Sequence, residues 1–338
     1  MRILAFTVAF SAAASSAITY WFMRVAIRLG FLDHPNERSS HREPTPRGGG
    51  LAIALVLIAA ATWSLHAGWL EPRHAYAYLG GVVAVATVGL LDDVWRLRAR
   101  WKLLGHILAA AWLAGWLGGL PEVRYGDAVL VLGPAGYALA SIGTIWLINL
   151  YNFMDGADGL AATQALLASS FGAVLLSGLH PGLALMAIAL AGAAAGFLVW
   201  NAPPARVFLG DVGSYTIGFT FAYLGMVGES AGALPSAVWL LLLSPFIVDA
   251  TLTLLDRCLG GEIWYQAHRD HAYQRCLRLG AGHGTLLWGL ILITVALIWP
   301  LAWYAAQGAI LKALAVALAF NGLLWLGIRY RFKRHIEQ

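Results

Sequence analysis

The chain has 338 residues, of which 60% are hydrophobic and 12% are charged, and its mean hydropathy is +0.70. This composition excludes an ordinary soluble protein and is typical of a polytopic membrane protein. The formal net charge of +5 would by itself suit a nucleic-acid partner. In a membrane protein, however, the position of each charge matters more than the sum, and we predict no nucleic-acid partner.

The first apolar run, Ile3 to Met23, is rich in small residues like a signal peptide. Its charges have the opposite order, since only Arg2 precedes the run whereas Arg24 and Arg28 follow it. We therefore predict a retained first helix whose N-terminus lies in the periplasm.

Apolar runs of about 20 residues, which suffice to cross the hydrocarbon core, predict 10 to 11 transmembrane helices in a single domain covering residues 1–338. The predicted spans are 4–27, 49–68, 75–91, 102–120, 134–152, 160–178, 182–200, 212–228, 234–256, 283–306 and 308–328. With the N-terminus outside, 18 of the 22 Lys and Arg residues lie in or beside the cytoplasmic segments, as the positive-inside rule requires. The expected fold is therefore an all-α polytopic integral membrane protein with its active site on the cytoplasmic face.

Two features lie apart from this pattern. Outside, Glu122 to Gly133 alternates polar and apolar residues around a Tyr-Gly-Asp turn, which predicts a short periplasmic hairpin. Asp249 lies about seven residues inside the ninth predicted span, where it is either the partner of a basic side chain or a site residue.

Both cysteines, Cys258 and Cys276, fall in one predicted cytoplasmic segment, so we expect no structural disulfide.

The segment NLYNFMDGADGLAA, at the end of the fifth predicted span, concentrates polar side chains: Asn149, Asn152, Asp155 and Asp158. Carboxylates at a membrane boundary are costly unless paired, hydrated or bound to a cation, so this segment is a candidate functional site. If it were helical, its last three polar residues would be spaced i, i+3, i+6 on roughly adjacent faces. Its two glycines would let a ligand approach the backbone. The alternative is a polar loop whose aspartates cap the next helix.

Two earlier segments carry further candidates. The stretch Asp33 to Gly50 mixes two His, three Arg and three Pro before a glycine run. It is either a positive-inside loop or part of a site, in which Arg47 would bind an anionic substrate. Asp92 and Asp93 end the third span, and four basic residues follow them. Adjacent like charges repel, which favours a bound metal or cationic ligand, with a solvated helix end as the alternative.

Asp211 lies between two glycines at the start of the eighth span. Backbone N–H groups there could bind phosphate and Asp211 could bind a divalent cation, whereas a simple helix cap is the alternative. In the fifth cytoplasmic segment His268 and His271 are three residues apart, beside Arg269 and Arg275. They make a weak zinc site but suit an anionic substrate.

Aspartates, histidines and arginines on one side of the membrane fit phosphoryl transfer, in which the protein positions the reactants and neutralises charge through a metal and cations. The sequence has no Walker loop, Rossmann glycine pattern or Gly-x-Ser-x-Gly elbow. An ATP-driven mechanism of the soluble type is therefore not expected.

The motifs LDD, NFMDGADGLA, FLGDVGS and the histidine-bearing fifth loop, in this order, resemble the polyprenyl-phosphate N-acetylhexosamine-1-phosphate transferase family. The resemblance spans roughly Asp33 to Arg275. It implies a bacterial inner-membrane enzyme that transfers a sugar 1-phosphate from a UDP-N-acetylhexosamine to undecaprenyl phosphate and releases UMP. The implied partners are these two substrates and the lipid bilayer, and a homodimer is left open.

The resemblance also implies roles for individual residues. Asp211 matches the family's metal-binding Gly-Asp motif, which implies Mg²⁺, or Mn²⁺ in its place, with Asp155 as a further ligand. Asp92 and Asp93 match an aspartate pair implicated in catalysis beside the acceptor phosphate. That phosphate has a second pKa of about 6 and is mostly dianionic at neutral pH, so we favour positioning over proton abstraction for the pair.

The donor side follows from the same comparison of motifs. Asn152, Asp155 and Asp158 match the segment lining the nucleotide site, and Phe208 would border or stack on the uracil. His268 and His271 match the histidine-bearing loop over the donor.

The fifth loop bears on the subtype. Muramoyl-pentapeptide transferases have consecutive histidines there, whereas His268 and His271 are separated by Arg-Asp in this chain. This is more similar to the branch that initiates O-antigen or common-antigen synthesis, with UDP-GlcNAc, UDP-FucNAc or UDP-QuiNAc as donors. The alternatives are the peptidoglycan enzyme, a CDP-alcohol phosphotransferase, whose signature is not matched, and a polyprenyl-lipid flippase, which would place polar residues near the midplane.

Overall fold

The computed structural model describes residues 2–33, 44–120, 122–125, 128–262 and 268–336. These residues form a helical bundle with two small two-stranded sheets. The helices are α1 (Arg2–Leu29), α2 (Leu51–His66), α3 (Pro72–Trp95), α4 (Ala99–Leu117), α5 (Ala135–Phe153), α6 (Leu160–Leu176), α7 (Pro181–Asn201), α8 (Gly210–Ser230), α9 (Ser236–Leu242), α10 (Ser244–Leu259), α11 (Ala272–Arg278), α12 (His283–Ile293), α13 (Trp299–Tyr304) and α14 (Ile310–Ile336). Two π-helical segments, Thr294–Ile298 and Ala305–Ala309, join the last three helices.

The helices confirm the predicted all-α polytopic fold. Within the described ranges, four helices are long and apolar enough to cross a membrane, or five when the bent pair α9 and α10 is counted as one span. The four are Ile3–Leu29, Pro72–Trp95, Pro181–Asn201 and the 53-residue run His283–His335. Each of the other predicted spans also coincides with helix, but 10 to 11 crossings and their orientation stay predictions.

The ninth predicted span, 234–256, is not one helix. It breaks at Leu243 into α9 and α10, which are bent by 78°. The sequence contains the cause, because Pro245 lacks a backbone N–H and its ring clashes with the carbonyl four residues earlier. The break turns α10 away from the direction of α9, and Asp249 of α10 lies close to α11.

The run from α12 to α14 folds back on itself. A straight helix of 53 residues would be about 80 Å long, far more than a bilayer is thick. Gly308, with φ 101°, interrupts the helix between the two predicted spans. Arg275 of α11 lies 5.5 Å from the ring of Trp325 near the end of α14, so α14 returns toward the start of α12.

Helix α8 is the centre of the bundle. Every residue from Gly210 to Glu229 is buried, and α3 and α5 pack against it. Small residues make the close approach feasible, since a Cβ on Gly218 would lie 2.5 Å from the carbonyl oxygen of Leu147 in α5. The side chains in the first turn of α8 are therefore held in place by the packing of the whole helix.

The two sheets are short. Leu32–Asp33 (β1) pairs with Thr45–Pro46 (β2), which anchors the segment before α2 to the end of α1. Glu122–Tyr125 (β3) pairs with Ala128–Val131 (β4) in the antiparallel hairpin that the sequence predicted, between α4 and α5. Its side of the membrane stays a prediction.

Candidate active site

Four elements meet at one end of the bundle, which we call the site end. Asp92 and Asp93 come from the last turn of α3, and Asp211 comes from the first turn of α8. Arg47 comes from the segment between β2 and α2, and Lys102 comes from the first turn of α4. The sequence analysis had predicted the aspartates and Arg47 but had not singled out Lys102.

Asp93 holds the start of α8. Its carboxylate accepts hydrogen bonds from the backbone N–H groups of Asp211, at 2.9 Å, and Val212, at 3.1 Å. Arg47 Nε lies 2.8 Å from the same carboxylate. The expectation that α8 amides bind phosphate is thus wrong for the Asp211 and Val212 amides, because both donate to Asp93.

Arg47 also reaches the second carboxylate of the cluster. Its guanidinium donates to Asp211 at 2.5 Å, so it bridges the ends of α3 and α8. Burial alone would lower the pKa of Arg47, but Asp211 and Asp93 outweigh burial and raise it. Arg47 is therefore firmly cationic.

Asp211 and Asp92 share a second cation. Lys102 Nζ lies 3.1 Å from Asp92 and 3.7 Å from Asp211. The same oxygen of Asp211, Oδ2, accepts a hydrogen bond from the Tyr215 hydroxyl at 2.6 Å, whereas Arg47 binds Oδ1. The side chains of Asp93 and Asp211 are each only 3% exposed, so three nearly buried carboxylates face two cations.

Glycines allow the two backbones of this site to touch. Residues 46–50 run beside 207–210, with a parallel bridge between Arg47 and Phe208. A Cβ on Gly50 would lie 2.3 Å from the Cα of Gly213, and Gly210 has φ +74°. Phe208 is thus placed beside Arg47, and it is partly exposed. Its contact with uracil stays a prediction.

The polar segment after α5 is not helical throughout. Helix α5 ends at Phe153, so Asp155 and Asp158 lie in the turn before α6 and the helical spacing considered for them does not apply. Asn152 remains in α5, with its amide oxygen 3.5 Å from Ser214 Oγ. Asn152 therefore connects the end of α5 to the first turns of α8.

Asp155 and Asp158 differ in their surroundings. Asp158 accepts a hydrogen bond from the Ala205 N–H at 3.1 Å and lies 3.4 Å from His283 Nδ1, which braces the turn against two other segments. Among the described residues none donates a hydrogen bond to the Asp155 carboxylate. Burial raises the pKa of Asp155 well above its usual range, while Arg47 lowers it and Asp211 raises it further.

The two glycines of this turn serve packing. Gly159 begins α6 with φ +72°, and its N–H donates to Asn201, whose amide donates in turn to the Val207 carbonyl. Gly156 lies under Tyr273, because a Cβ there would be 2.1 Å from the Tyr273 hydroxyl oxygen. Tyr273 thus fills the space on the Cβ side of Gly156, and approach of a ligand to its exposed side stays a prediction.

The histidine loop lies against the same turn. The rings of His268 and His271 are 4.9 Å apart, and His271 stacks on Phe153 with their centroids at 6.1 Å. Burial, reinforced by the charge of His271, lowers the pKa of His268 to about 4, so His268 is neutral at pH 7. Arg269 lies between the two histidines.

Arg275 points elsewhere. It is buried, lies 3.6 Å from Asp256 of α10, and stacks over Trp325 of α14. The structure therefore places Arg275 in the packing of α11 against α14, and its assignment to the substrate stays a prediction.

The site offers oxygen ligands for a hard cation but not a complete cage. Among the described residues no group of three His, Cys, Asp or Glu side chains is arranged to hold a metal. Mg²⁺ commonly uses only one or two carboxylates, completed by water and substrate phosphates. The Asp155 carboxylate, to which none of the described residues donates a hydrogen bond, and the neighbouring Asp211 fit that requirement.

Comparisons with known proteins agree with this geometry. Residues 75–229, which include the three aspartates of the cluster and the turn after α5, match the model of glycosyl transferase family 4. The chain is 32% identical to a decaprenyl-phosphate N-acetylglucosaminephosphotransferase of Mycolicibacterium smegmatis, over 80% of this chain and 75% of that protein. It is 28% identical to a probable undecaprenyl-phosphate N-acetylglucosaminyl 1-phosphate transferase of Bacillus subtilis, over 79% and 75%.

A relative from the other branch is also similar. A phospho-N-acetylmuramoyl-pentapeptide-transferase of Picosynechococcus is 33% identical over 71% of this chain and 66% of that protein. Both branches are thus represented among the similar proteins. From the family match and the extent of these similarities, the chain belongs to glycosyl transferase family 4, the family of polyprenyl-phosphate N-acetylhexosamine-1-phosphate transferases.

Proposed function

We propose that the protein transfers an N-acetylhexosamine 1-phosphate from a UDP-sugar to undecaprenyl phosphate and releases UMP. The observation that carries the proposal is the cluster of three nearly buried aspartates, which form ion pairs with Arg47 and Lys102. Two relatives named as polyprenyl-phosphate N-acetylglucosamine-phosphate transferases support the reaction class.

The reaction exchanges one phosphoanhydride for another. An oxygen of the acceptor phosphate forms a bond to the β-phosphorus of the donor, and the bond from that phosphorus to the bridging oxygen breaks. UMP leaves with the bridging oxygen, and the sugar keeps the β-phosphate. Because the acceptor is mostly dianionic at neutral pH, no strong general base is needed.

The chain's own cations oppose the repulsion between the two anionic substrates. Arg47 and Lys102 supply fixed positive charge where α3, α4 and α8 meet. Mg²⁺, or Mn²⁺ in its place, would be held by Asp211 with Asp155 and would neutralise charge on the donor phosphates. Such positioning and charge neutralisation account for most of the catalysis in phosphoryl transfer.

The two adjacent aspartates have different tasks in this proposal. Asp93 uses both carboxylate oxygens on the amides of α8 and on Arg47, so it positions Asp211. Asp92 contacts the partly exposed ammonium of Lys102 and shares a side-chain hydrogen bond with Asp211, so it can present that cation to the acceptor phosphate. This division refines the earlier assignment of both residues to the acceptor.

The donor is proposed to be UDP-GlcNAc or a 6-deoxy relative such as UDP-FucNAc or UDP-QuiNAc, in the initiation of O-antigen or a related envelope glycan. Relatives named for N-acetylglucosamine transfer favour this class. The split histidines His268 and His271 argue against UDP-MurNAc-pentapeptide. The Picosynechococcus relative keeps that donor as the second candidate.

The charge distribution supports the location. Because 18 of 22 Lys and Arg residues lie at or beside the same face as the aspartate cluster, we place that face in the cytoplasm, where UDP-sugars are made. The proposed location is the bacterial inner membrane, with the N-terminus in the periplasm.

The test is UMP release by purified protein in detergent with undecaprenyl phosphate and Mg²⁺. The donors are UDP-GlcNAc, UDP-GalNAc, UDP-FucNAc, UDP-QuiNAc and UDP-MurNAc-pentapeptide. We expect UMP with one donor class, only when lipid and metal are both present. EDTA should abolish release, and excess Mg²⁺ should restore it.

Two variants make the assay specific. Asp211→Asn should lower UMP release at least a hundredfold, because it removes a charge at the reacting phosphates. Glu229→Gln alters a buried carboxylate about 27 Å along α8 and should leave release within about twofold of wild type. Lipid binding without UMP from folded wild-type protein would instead favour a flippase.

A further inference from the structure

Asp249 is a nearly buried carboxylate of α10 that holds the start of α11. It accepts hydrogen bonds from the backbone N–H groups of Ala272, at 2.7 Å, and Tyr273, at 3.2 Å. Thr253 donates to it at 3.1 Å, and His271 Nδ1 lies 3.6 Å away. Asp249 is 7% exposed. A carboxylate this deep in an apolar bundle is retained only where it is well paired.

These contacts support a helix that is too short to be stable on its own. Helix α11 has seven residues, and an isolated helix of that length is unstable in water because nucleation is unfavourable. Its position therefore depends on contacts with other elements, namely Asp249 at its first turn and α14 along its side. The acidic cap at its first turn also suits the positive end of the helix dipole.

Helix α11 in turn contacts the segment that carries Asp155. The Tyr273 hydroxyl donates to the Phe153 carbonyl at 3.0 Å, at the end of α5. The missing side chain of Gly156 leaves the space that this hydroxyl fills. His271 stacks on Phe153 from the same side. One continuous set of contacts thus joins Asp249 to the turn after α5.

We propose that Asp249 is a positioning residue for the donor side of the site. Its carboxylate fixes α11 and the adjoining histidines and, through Tyr273, sets the turn that carries Asp155. The inference rests on the transferase function proposed above, since it assigns the histidine loop to the donor. It also assigns a role to Asp249, which lies outside the aspartate cluster.

The variant Asp249→Asn tests this inference with little change of shape. The amide keeps one acceptor oxygen, but its NH₂ group faces a backbone N–H, and the negative charge is lost. We expect the KM for the donor to rise about tenfold, since a hydrogen bond to a charged group is lost, while the KM for undecaprenyl phosphate changes less than about twofold.

Glu229→Gln is the matched control. Glu229 is also a buried carboxylate, and it accepts from the Ser236 N–H at 2.6 Å at the start of the seven-residue α9, at the far end of α8. It should cost comparable thermal stability without changing either KM. A similar rise in donor KM in both variants would show a general loss of stability and overturn the positioning role.

Two further measurements distinguish an effect transmitted through Tyr273 from a general loss of stability. Tyr273→Phe removes the hydroxyl that contacts Phe153, Gly156 and Gln274, and we expect about a threefold rise in donor KM. The double variant with Asp249→Asn should be no worse than Asp249→Asn alone, because both act through α11. Multiplicative effects would contradict a shared path. Hydrogen exchange should become faster at 272–278 and 153–160 in Asp249→Asn but not in Glu229→Gln.

Failure of the two proposals can be distinguished. Absence of UMP from folded wild-type protein with every donor would overturn the transferase function and, with it, the donor role of Asp249. UMP release by wild type together with an unchanged donor KM in Asp249→Asn would overturn the positioning role alone.

Discussion

Exchange of each adjacent aspartate for asparagine should separate their tasks. Asp93→Asn loses the ion pair with Arg47 and one of two charge-assisted bonds to the α8 amides, which we estimate to cost about 3 kcal/mol. Asp92→Asn weakens the ion pair with the partly exposed Lys102, while its amide can keep a hydrogen bond to Asp211, so we estimate a cost of about 1 kcal/mol. With an unfolding entropy of about 2.1 cal/mol/K per residue, the chain of 338 residues should melt about 4 °C and about 1 °C lower, respectively.

The assay is thermal unfolding of purified variants in one detergent, followed by tryptophan fluorescence, with UMP release measured on the same samples. Asp93→Asn should lose stability and activity together. Asp92→Asn should keep nearly wild-type melting but lose activity, since its task is at the acceptor. Equal melting shifts, or a larger shift in Asp92→Asn, would refute the assignment of Asp93 as the residue that holds α8.

Two more predictions concern backbone approach and protonation. Gly50→Ala would place a methyl group 2.3 Å from the Cα of Gly213, so we expect a loss of about 2 to 3 kcal/mol in thermal melts; Gly284→Ala, which meets no atom within 4 Å, is its control, and equal melting would contradict the close approach. His268 has a pKa of about 4 in the folded state and about 6.5 when unfolded. Stability should therefore fall as pH drops from about 6.5 to 4, by at most about 3 kcal/mol. His268→Gln should reduce that loss in melts over the same pH range, and an unchanged pH profile would argue against burial of the neutral ring.

The sequence was sufficient for the helical architecture because hydrophobic length is a local property. It failed at the ninth span, where a long apolar run concealed the effect of Pro245 and one predicted helix became two. The sequence showed that Asp249 lies unusually deep inside this predicted span, but it did not show which groups contact the carboxylate. Asp249 accepts hydrogen bonds from two backbone amides in α11. Because every residue except proline has such an amide, the residue types could not show which ones Asp249 contacts.

In the site, residue types were predictable and contacts were not. Asp92, Asp93 and Asp211 were expected on one face, yet which of them would cap α8 depends on the angle between α3 and α8. Lys102 was one of four basic residues after the aspartates, and only the direction of α4 selects it. Gly156 was interpreted as room for a ligand because the sequence cannot show that Tyr273 fills that space.

The most direct test of the central claim follows the β-phosphate of the donor. Wild-type protein is supplied with the active UDP-sugar carrying ³²P in that phosphate, together with undecaprenyl phosphate and Mg²⁺, and the lipid and aqueous phases are then separated. The account predicts that the label enters the lipid with the sugar while unlabelled UMP appears in water, and that Asp211→Asn abolishes both. Label that stays in water as UDP while sugar enters the lipid would contradict sugar 1-phosphate transfer.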